Sequence, residues 1–134
     1  MKQKGFTLIE LLVVIAIIGI LAVVIIINLS TARVKGRDAR RISDLNQARK
    51  ALELYYNDCG QYPPTLDPTE ATGCQAPVTF GDFLANPPAD PQTGTPYTYT
   101  YDGSDNTFAL DFTLEGGIDL YGAGPHTMTQ DAIQ

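Results

Sequence analysis

The chain has 134 residues, nine Lys and Arg against fifteen Asp and Glu, a formal net charge of −6, nine Pro and two Cys, which is material for one small domain with an added helix or tail. Residues 1–50 hold all nine cations against three acids, net +6, while residues 51–134 hold twelve acids and no Lys or Arg. This division excludes a uniformly soluble globule and a nucleic-acid-binding second half, since duplex phosphate is bound through Lys and Arg that displace its counterions; with one His and two Cys there is also little to build a metal or nucleophile site.

Residues 8–27, LIELLVVIAIIGILAVVIII, are apolar or Gly everywhere except Glu10. Twenty helical residues rise about 30 Å, one hydrocarbon thickness, and ordinary strands do not run so long without a turn. The segment reads as a transmembrane helix. One alternative is a cleaved secretory signal, with MKQK as its basic start and Ser30-Thr31-Ala32 as a small-x-small site. Against it, the run exceeds the usual length of about 7–15 residues and carries a carboxylate. Another is an ordinary single-span anchor, which leaves Glu10 without a purpose.

Lys4-Gly5-Phe6-Thr7-Leu8-Ile9-Glu10, followed by that run, closely resembles the start of type IV prepilins and type II secretion pseudopilins, including the major, G-like pseudopilin; the match covers 2–27. The resemblance implies that a prepilin peptidase cuts between Gly5 and Phe6 and N-methylates Phe6, and that Glu10 is the family's acidic residue four positions on. It departs from the pattern at Ile25-Ile26-Ile27-Asn28, where the family usually has a Pro. The chemistry of the motif is consistent. Gly5 lets a protease approach its backbone closely, and Phe6 suits the lipid–water boundary. Glu10 needs a partner inside an apolar bundle, and the new α-amine of a neighbouring subunit supplies one. The positive-inside rule alone puts the Arg33–Arg41 flank in the cytoplasm. The resemblance instead puts the N-terminus there, in a single-pass protein of the bacterial inner membrane that ends in an extracellular or periplasmic filament.

Residues 28–57 contain no Pro. Ile42, Leu45, Leu52 and Tyr56, widened by Ala39, Ala48, Ala51 and Tyr55, form an apolar helical stripe, so one helix is expected over 6–57. Asp38 and Arg41 read as a weak surface pair. The basic face is either a solvated side or a surface that meets the acidic heads of neighbouring subunits.

Residues 58–134 read as an acidic globular head. Asn57-Asp58-Cys59-Gly60 stops the helix and Tyr62-Pro63-Pro64 prevents its resumption. Residues 58–96 are a Pro-rich loop region with one short helical turn at Phe80–Leu84. In a small exported head, a Cys59–Cys74 disulfide is the expected state, with free thiols as the alternative. Tyr97–Tyr101 alternates as a strand, Asp102–Asn106 turns, and Phe108, Leu110, Phe112 and Leu114 alternate as a second strand whose apolar face should meet the helix stripe. The Tyr row reads as a packed sheet face rather than a sugar-stacking surface. Ile118–Tyr121 is expected as a short edge strand, closing a sheet over 97–121, and 122–134 as a loose tail. Major pseudopilins have a calcium site in loops near their last strands. Asp102, Asp105 and Asp119 are the candidate ligands here, and they do not fit an EF-hand loop.

The fold expected is α+β and pilin-like: a leader at 1–5, one long N-terminal helix packed on a small antiparallel sheet. The functional expectation is a structural subunit of a type IV pilus-like filament, or alternatively the major pseudopilin of a type II protein secretion system. More remote is a non-polymerising, membrane-anchored binding module. No nucleophile–base set, phosphate loop or HExxH-type site is present, so an enzyme is not expected, nor a required cofactor. The implied partners are identical or related pilins, prepilin peptidase, an inner-membrane assembly platform and membrane lipid before assembly, with no nucleic acid bound by the head.

Overall fold

The computed structural model describes residues 6–75 and 77–134, without the side chains of 24–28. The predicted leader at 1–5, with Gly5, lies outside the described residues. The chain is α+β: helix α1 (Leu8–Cys59), a 3-10 turn at Phe80–Asp82, and strands β1 (Thr98–Asp102), β2 (Thr107–Leu114) and β3 (Gly124–Thr129). It divides into two compact units, Met1–Val34 and Lys35–Gln134.

In the first unit the large apolar side chains from Phe6 to Val23 are exposed, Phe6 by 83%. Among the described residues no helix is long and apolar enough to cross a membrane; the predicted span 8–27 includes the undescribed side chains of 24–28.

The second unit is built on a stripe of α1. Asp38, Arg41, Leu45, Ala48, Leu52 and Tyr55 are all buried, at spacings of three and four that place them along one helix face. Two expected stripe members fall off it: Tyr56 is 40% exposed and Ala39 is exposed. Helix α1 ends because Gly60 takes a left-handed conformation (φ 77°) and donates its N–H to the Tyr56 carbonyl at 2.8 Å, a C-cap that a Cβ would oppose.

The sheet is antiparallel in the order β1-β2-β3. On central β2, Phe108, Leu110, Phe112 and Leu114 are buried, the period of two that puts alternate residues on one face. They share a core with the helix stripe, Tyr62, Phe80 and Met128. Tyr55 meets Phe80 and Phe83 edge-on, each at 5.8 Å between ring centres, and Tyr62 meets Phe108 at 4.8 Å. These are the offset geometries aromatic quadrupoles prefer.

Two expectations fail at the end of the chain. Residues 122–134 are not a loose tail: Gly124–Thr129 form β3, paired from Ala109↔Thr129 to Leu114↔Gly124, with Met128 fully buried. Ile118–Tyr121 is not an edge strand but a tight turn, closed by reciprocal backbone hydrogen bonds of 2.8 and 2.9 Å. Gly and Pro at the start of β3 disguise it. Pro125 is tolerated because it lies near the beginning of a strand at the sheet edge.

Candidate functional site

The start of α1 is shaped by Thr7 and Glu10. The Glu10 carboxylate accepts from the Thr7 backbone N–H at 2.8 Å and from the Thr7 hydroxyl at 2.7 Å, both through Oε2. In return the Glu10 N–H donates to Thr7 Oγ1 at 3.2 Å. This is a capping box, which satisfies two N–H groups that a helix start otherwise leaves without partners. Glu10 therefore has a local role that the family resemblance alone does not suggest. Thr7 was readable as the first residue of a T-x-x-E pattern before an apolar run. Both hydrogen bonds use Oε2, and Glu10 and Phe6 are both exposed.

The second constellation lies where α1 enters the head. Arg41 is 2% exposed and Asp38 is fully buried. Arg41 donates from Nε to Asp90 Oδ2 at 2.6 Å, and from Nη1 to Asp38 Oδ1 at 2.7 Å and Glu115 Oε1 at 2.6 Å. Arg37 forms a bidentate pair with Glu115, its Nε donating at 2.7 Å. Asp38 also accepts from the backbone N–H groups of Glu115, Gly116 and Gly117 at 2.9, 2.8 and 3.1 Å. Asp90 accepts from the N–H groups of Gln92 and Thr93. Two guanidiniums and three carboxylates thus tie the 89–96 loop and the loop after β2 to the helix.

The electrostatics follow from these contacts. The Arg41 hydrogen bonds hold the Asp90 carboxyl far below its ordinary range, against the opposing effect of burial. Glu115 is held at about 2, chiefly by its hydrogen bonds to Arg37, then by those to Arg41. For Asp38, burial raises the value, but the N–H groups of Glu115 and Gly116 together with Arg41 outweigh it and the net direction is down. Asp90, and then Glu115 and Asp38, raise Arg41 in turn. All five groups are charged at neutral pH, and the arrangement positions loops rather than performing acid–base chemistry.

This corrects the reading of the basic helix face. Asp38 and Arg41 are a buried pair, not a weak surface one, and Arg37 and Arg41 are engaged within their own head. Asp38 and Arg41 were within reach of the sequence, since they continue the 45–48–52–55 stripe. Asp90 and Glu115 lie 49 and 74 residues from Arg41, and no local pattern links them to it.

Cys59 and Cys74 are joined as a disulfide that pins the Pro-rich segment to the end of α1. The calcium candidates are not brought together. Among the described residues no three His, Cys, Asp or Glu side chains form a group that could hold a metal. Asp102 accepts from the N–H and hydroxyl of Ser104 in the β1–β2 turn, where Asp105 also lies. Asp119 follows the other end of β2, a strand length of about 24 Å away at about 3.4 Å per residue.

Comparison with known proteins extends over both the helix and the head. The prokaryotic N-terminal methylation motif matches residues 1–26. The chain is 32% identical over 128 residues to the type II secretion system core protein G of Aeromonas hydrophila, covering 88% of this chain and 89% of that protein. It is 35% identical over 136 residues to the Escherichia coli K12 core protein G, covering 92% and 83%. To the type IV wide pilus major component PilA4 of Thermus thermophilus it is 54% identical, over 61 residues, 46% of this chain and 47% of that one. No solved structure matches the chain significantly.

Proposed function

The chain belongs to the family of the type II secretion system core protein G, whose members are pilin-like, non-catalytic filament subunits, and on that premise we propose that it is the major pseudopilin of a type II secretion system. The observation that carries this reading is coverage. Likeness to the core protein G of Aeromonas hydrophila extends over 89% of that protein, head included, whereas likeness to the wide-pilus component extends over 47% of it. The pilus reading is the less supported of the two.

The route to a filament then follows from the N-terminus. Residues 8–27 store the subunit in the inner membrane with its N-terminus in the cytoplasm. Prepilin peptidase cuts between Gly5 and Phe6 and methylates the Phe6 amine. An inner-membrane platform lifts the subunit out, and the apolar helices pack side by side. Glu10 keeps Oε2 on its own Thr7 cap and offers Oε1 to the Phe6 amine of the adjacent subunit. A desolvated carboxylate with one available axial partner sets register more than it adds net stability.

The test is deletion of the chain in its host. Loss of protein release into the medium, with surface pili and their motility unchanged, is the expected result. Normal release together with missing pili would favour the pilus reading and overturn this one.

A further inference from the structure

The sheet of the head has a missing rung. Strand β2 pairs with β3 up to Leu114↔Gly124, but with β1 no further than Thr98↔Asp111. The direction of the unpaired groups follows from the β3 edge. Thr127 and Thr129 turn their main-chain groups toward the 132–134 segment: the Thr127 N–H donates to the Gln134 carbonyl at 3.2 Å and the Thr129 N–H to the Ala132 carbonyl at 2.9 Å. Bonded and non-bonded pairs alternate along an antiparallel ladder. Asp111 and Thr113, opposite Thr127 and Pro125, therefore point their N–H and C=O groups toward β1. Asp111 meets Thr98 there. The same register would set Thr113 against Pro96, which has no N–H to donate and is bridged to Ala89. Among the described residues the Thr113 N–H and C=O have no hydrogen-bond partner.

The strands part at this point around a cavity of about 320 Å³, whose wall includes Asp90, Thr95, Pro96, Thr98, Asp111 and Thr113. Its charges are unevenly satisfied. Arg41, the one cation in the wall, is held by Asp38, Asp90 and Glu115. Asp111 is exposed; its Oδ1 accepts from the Thr127 hydroxyl at 2.7 Å, and it has no ionic partner among the described residues.

A vacant donor and acceptor on one strand residue match the main chain of an extended peptide, which pairs with both. The side chain opposite Thr113 would share its face of the sheet, with Asp111 as the diagonal neighbour, within reach of a long side chain. We propose that the gap receives an extended peptide segment with a basic side chain, whose main chain completes the rung at Thr113 and whose cation meets Asp111. The occupant is a different protein, not a second copy of this chain. Among the described residues every Lys and Arg lies on α1, whose main-chain groups are bonded within the helix, and residues 51–134 contain none. A sugar matches less well, because the aromatic residues of the wall, Tyr97 and Phe112, are buried and offer no ring face for stacking. Such a site does not depend on whether the filament serves secretion or a pilus.

The experiment uses the full-length chain, isotope-labelled and in detergent micelles, with the blocked tripeptide acetyl-Val-Lys-Val-amide as the probe. Titration should shift the amide resonances of Thr98, Asp111 and Thr113 together. Affinity should be at least about fivefold above that for acetyl-Val-Glu-Val-amide, whose carboxylate is repelled by Asp111. Methylating the backbone nitrogen of the central Lys removes the donor to the Thr113 carbonyl and should weaken binding at least about threefold. Asp111→Asn, which keeps Oδ1 for Thr127, should erase the preference for Lys over Glu. Thr113→Pro should abolish binding while the β2–β3 ladder keeps its bonds, since the lost N–H points away from β3. Shifts confined to other residues, equal binding of the Lys and Glu peptides, or unchanged binding of the N-methylated peptide would overturn the proposal. So would tighter binding of the disaccharide of N-acetylglucosamine at the same residues. The peptide comparisons use the unaltered chain, so they decide the matter even where Thr113→Pro fails to fold.

Discussion

Replacing Asp38 with Ala should be among the most damaging single changes in the head. The Asp38 carboxylate is fully buried and accepts four hydrogen bonds, three from consecutive backbone N–H groups and one from Arg41. Its removal leaves those N–H groups without an acceptor, at about 1–3 kcal/mol for each that stays buried. It also removes one partner of a buried guanidinium, a change that typically costs about 3–5 kcal/mol. The two losses overlap, because the loop after β2 can lift toward water, so about 3–5 kcal/mol in total is the expected effect. At about 4–8 °C per kcal/mol for a domain this small, the head should melt at least about 12 °C lower. Urea and thermal melts of the full chain in detergent, followed by the near-ultraviolet signal of its seven Tyr in the absence of Trp, measure this directly. Asp38→Asn, which keeps one acceptor but turns an NH₂ toward donors, should fall between. Acid titration adds a second readout. Asp38, Asp90 and Glu115 all have lowered folded values, Glu115 to about 2, against about 4 in the unfolded chain. The unfolded state therefore binds more protons in this window, and stability contributed by the cluster is present above about pH 4 and is lost as pH falls through the folded values. Asp38→Ala should have a shallower acid slope than wild type. A melting point within about 4 °C of wild type would show that the buried carboxylate does not hold the loop, and the reasoning would fail.

Three further changes test other parts of the structure. Cys74→Ser, which opens the cross-link spanning a sequence separation of 15, should lower head stability by about 3 kcal/mol, and reductant should shift the wild-type melt equally while leaving the variant unmoved. Gly117→Ala should destabilise the head by about 1–3 kcal/mol or more in urea melts, since Gly117 has φ 77° and a Cβ there would lie 2.6 Å from the Tyr121 carbonyl oxygen; wild-type stability would mean that the turn relaxes freely. Glu10→Leu should leave insertion and cleavage after Gly5 intact, slow or abolish assembly, and loosen the helix start through loss of the capping box; a cleaved variant that polymerises at wild-type rate and register would remove Glu10 from the packing mechanism.

Local pattern alone determined much of this protein. The absence of Pro through α1, the three-four spacing of Leu45, Ala48, Leu52 and Tyr55, and the period of two in Phe108–Leu114 are short-range signals, and each specifies an element together with the face that it buries. The Gly5–Glu10 motif is equally local, so the family was legible from the first residues. What tertiary structure decided are the features whose partners are distant in sequence. Strand β3 has one deeply buried apolar residue, Met128, and becomes a strand because β2 offers it an open edge, not because Gly124-Pro125 favours extension. Arg41 looks like any surface cation of a basic helix until the chain returns twice, at Asp90 and again at Glu115, to surround it. Burial of a charge is tolerated only with such partners, and their position is a property of the closed fold, not of any stretch of sequence around Arg41.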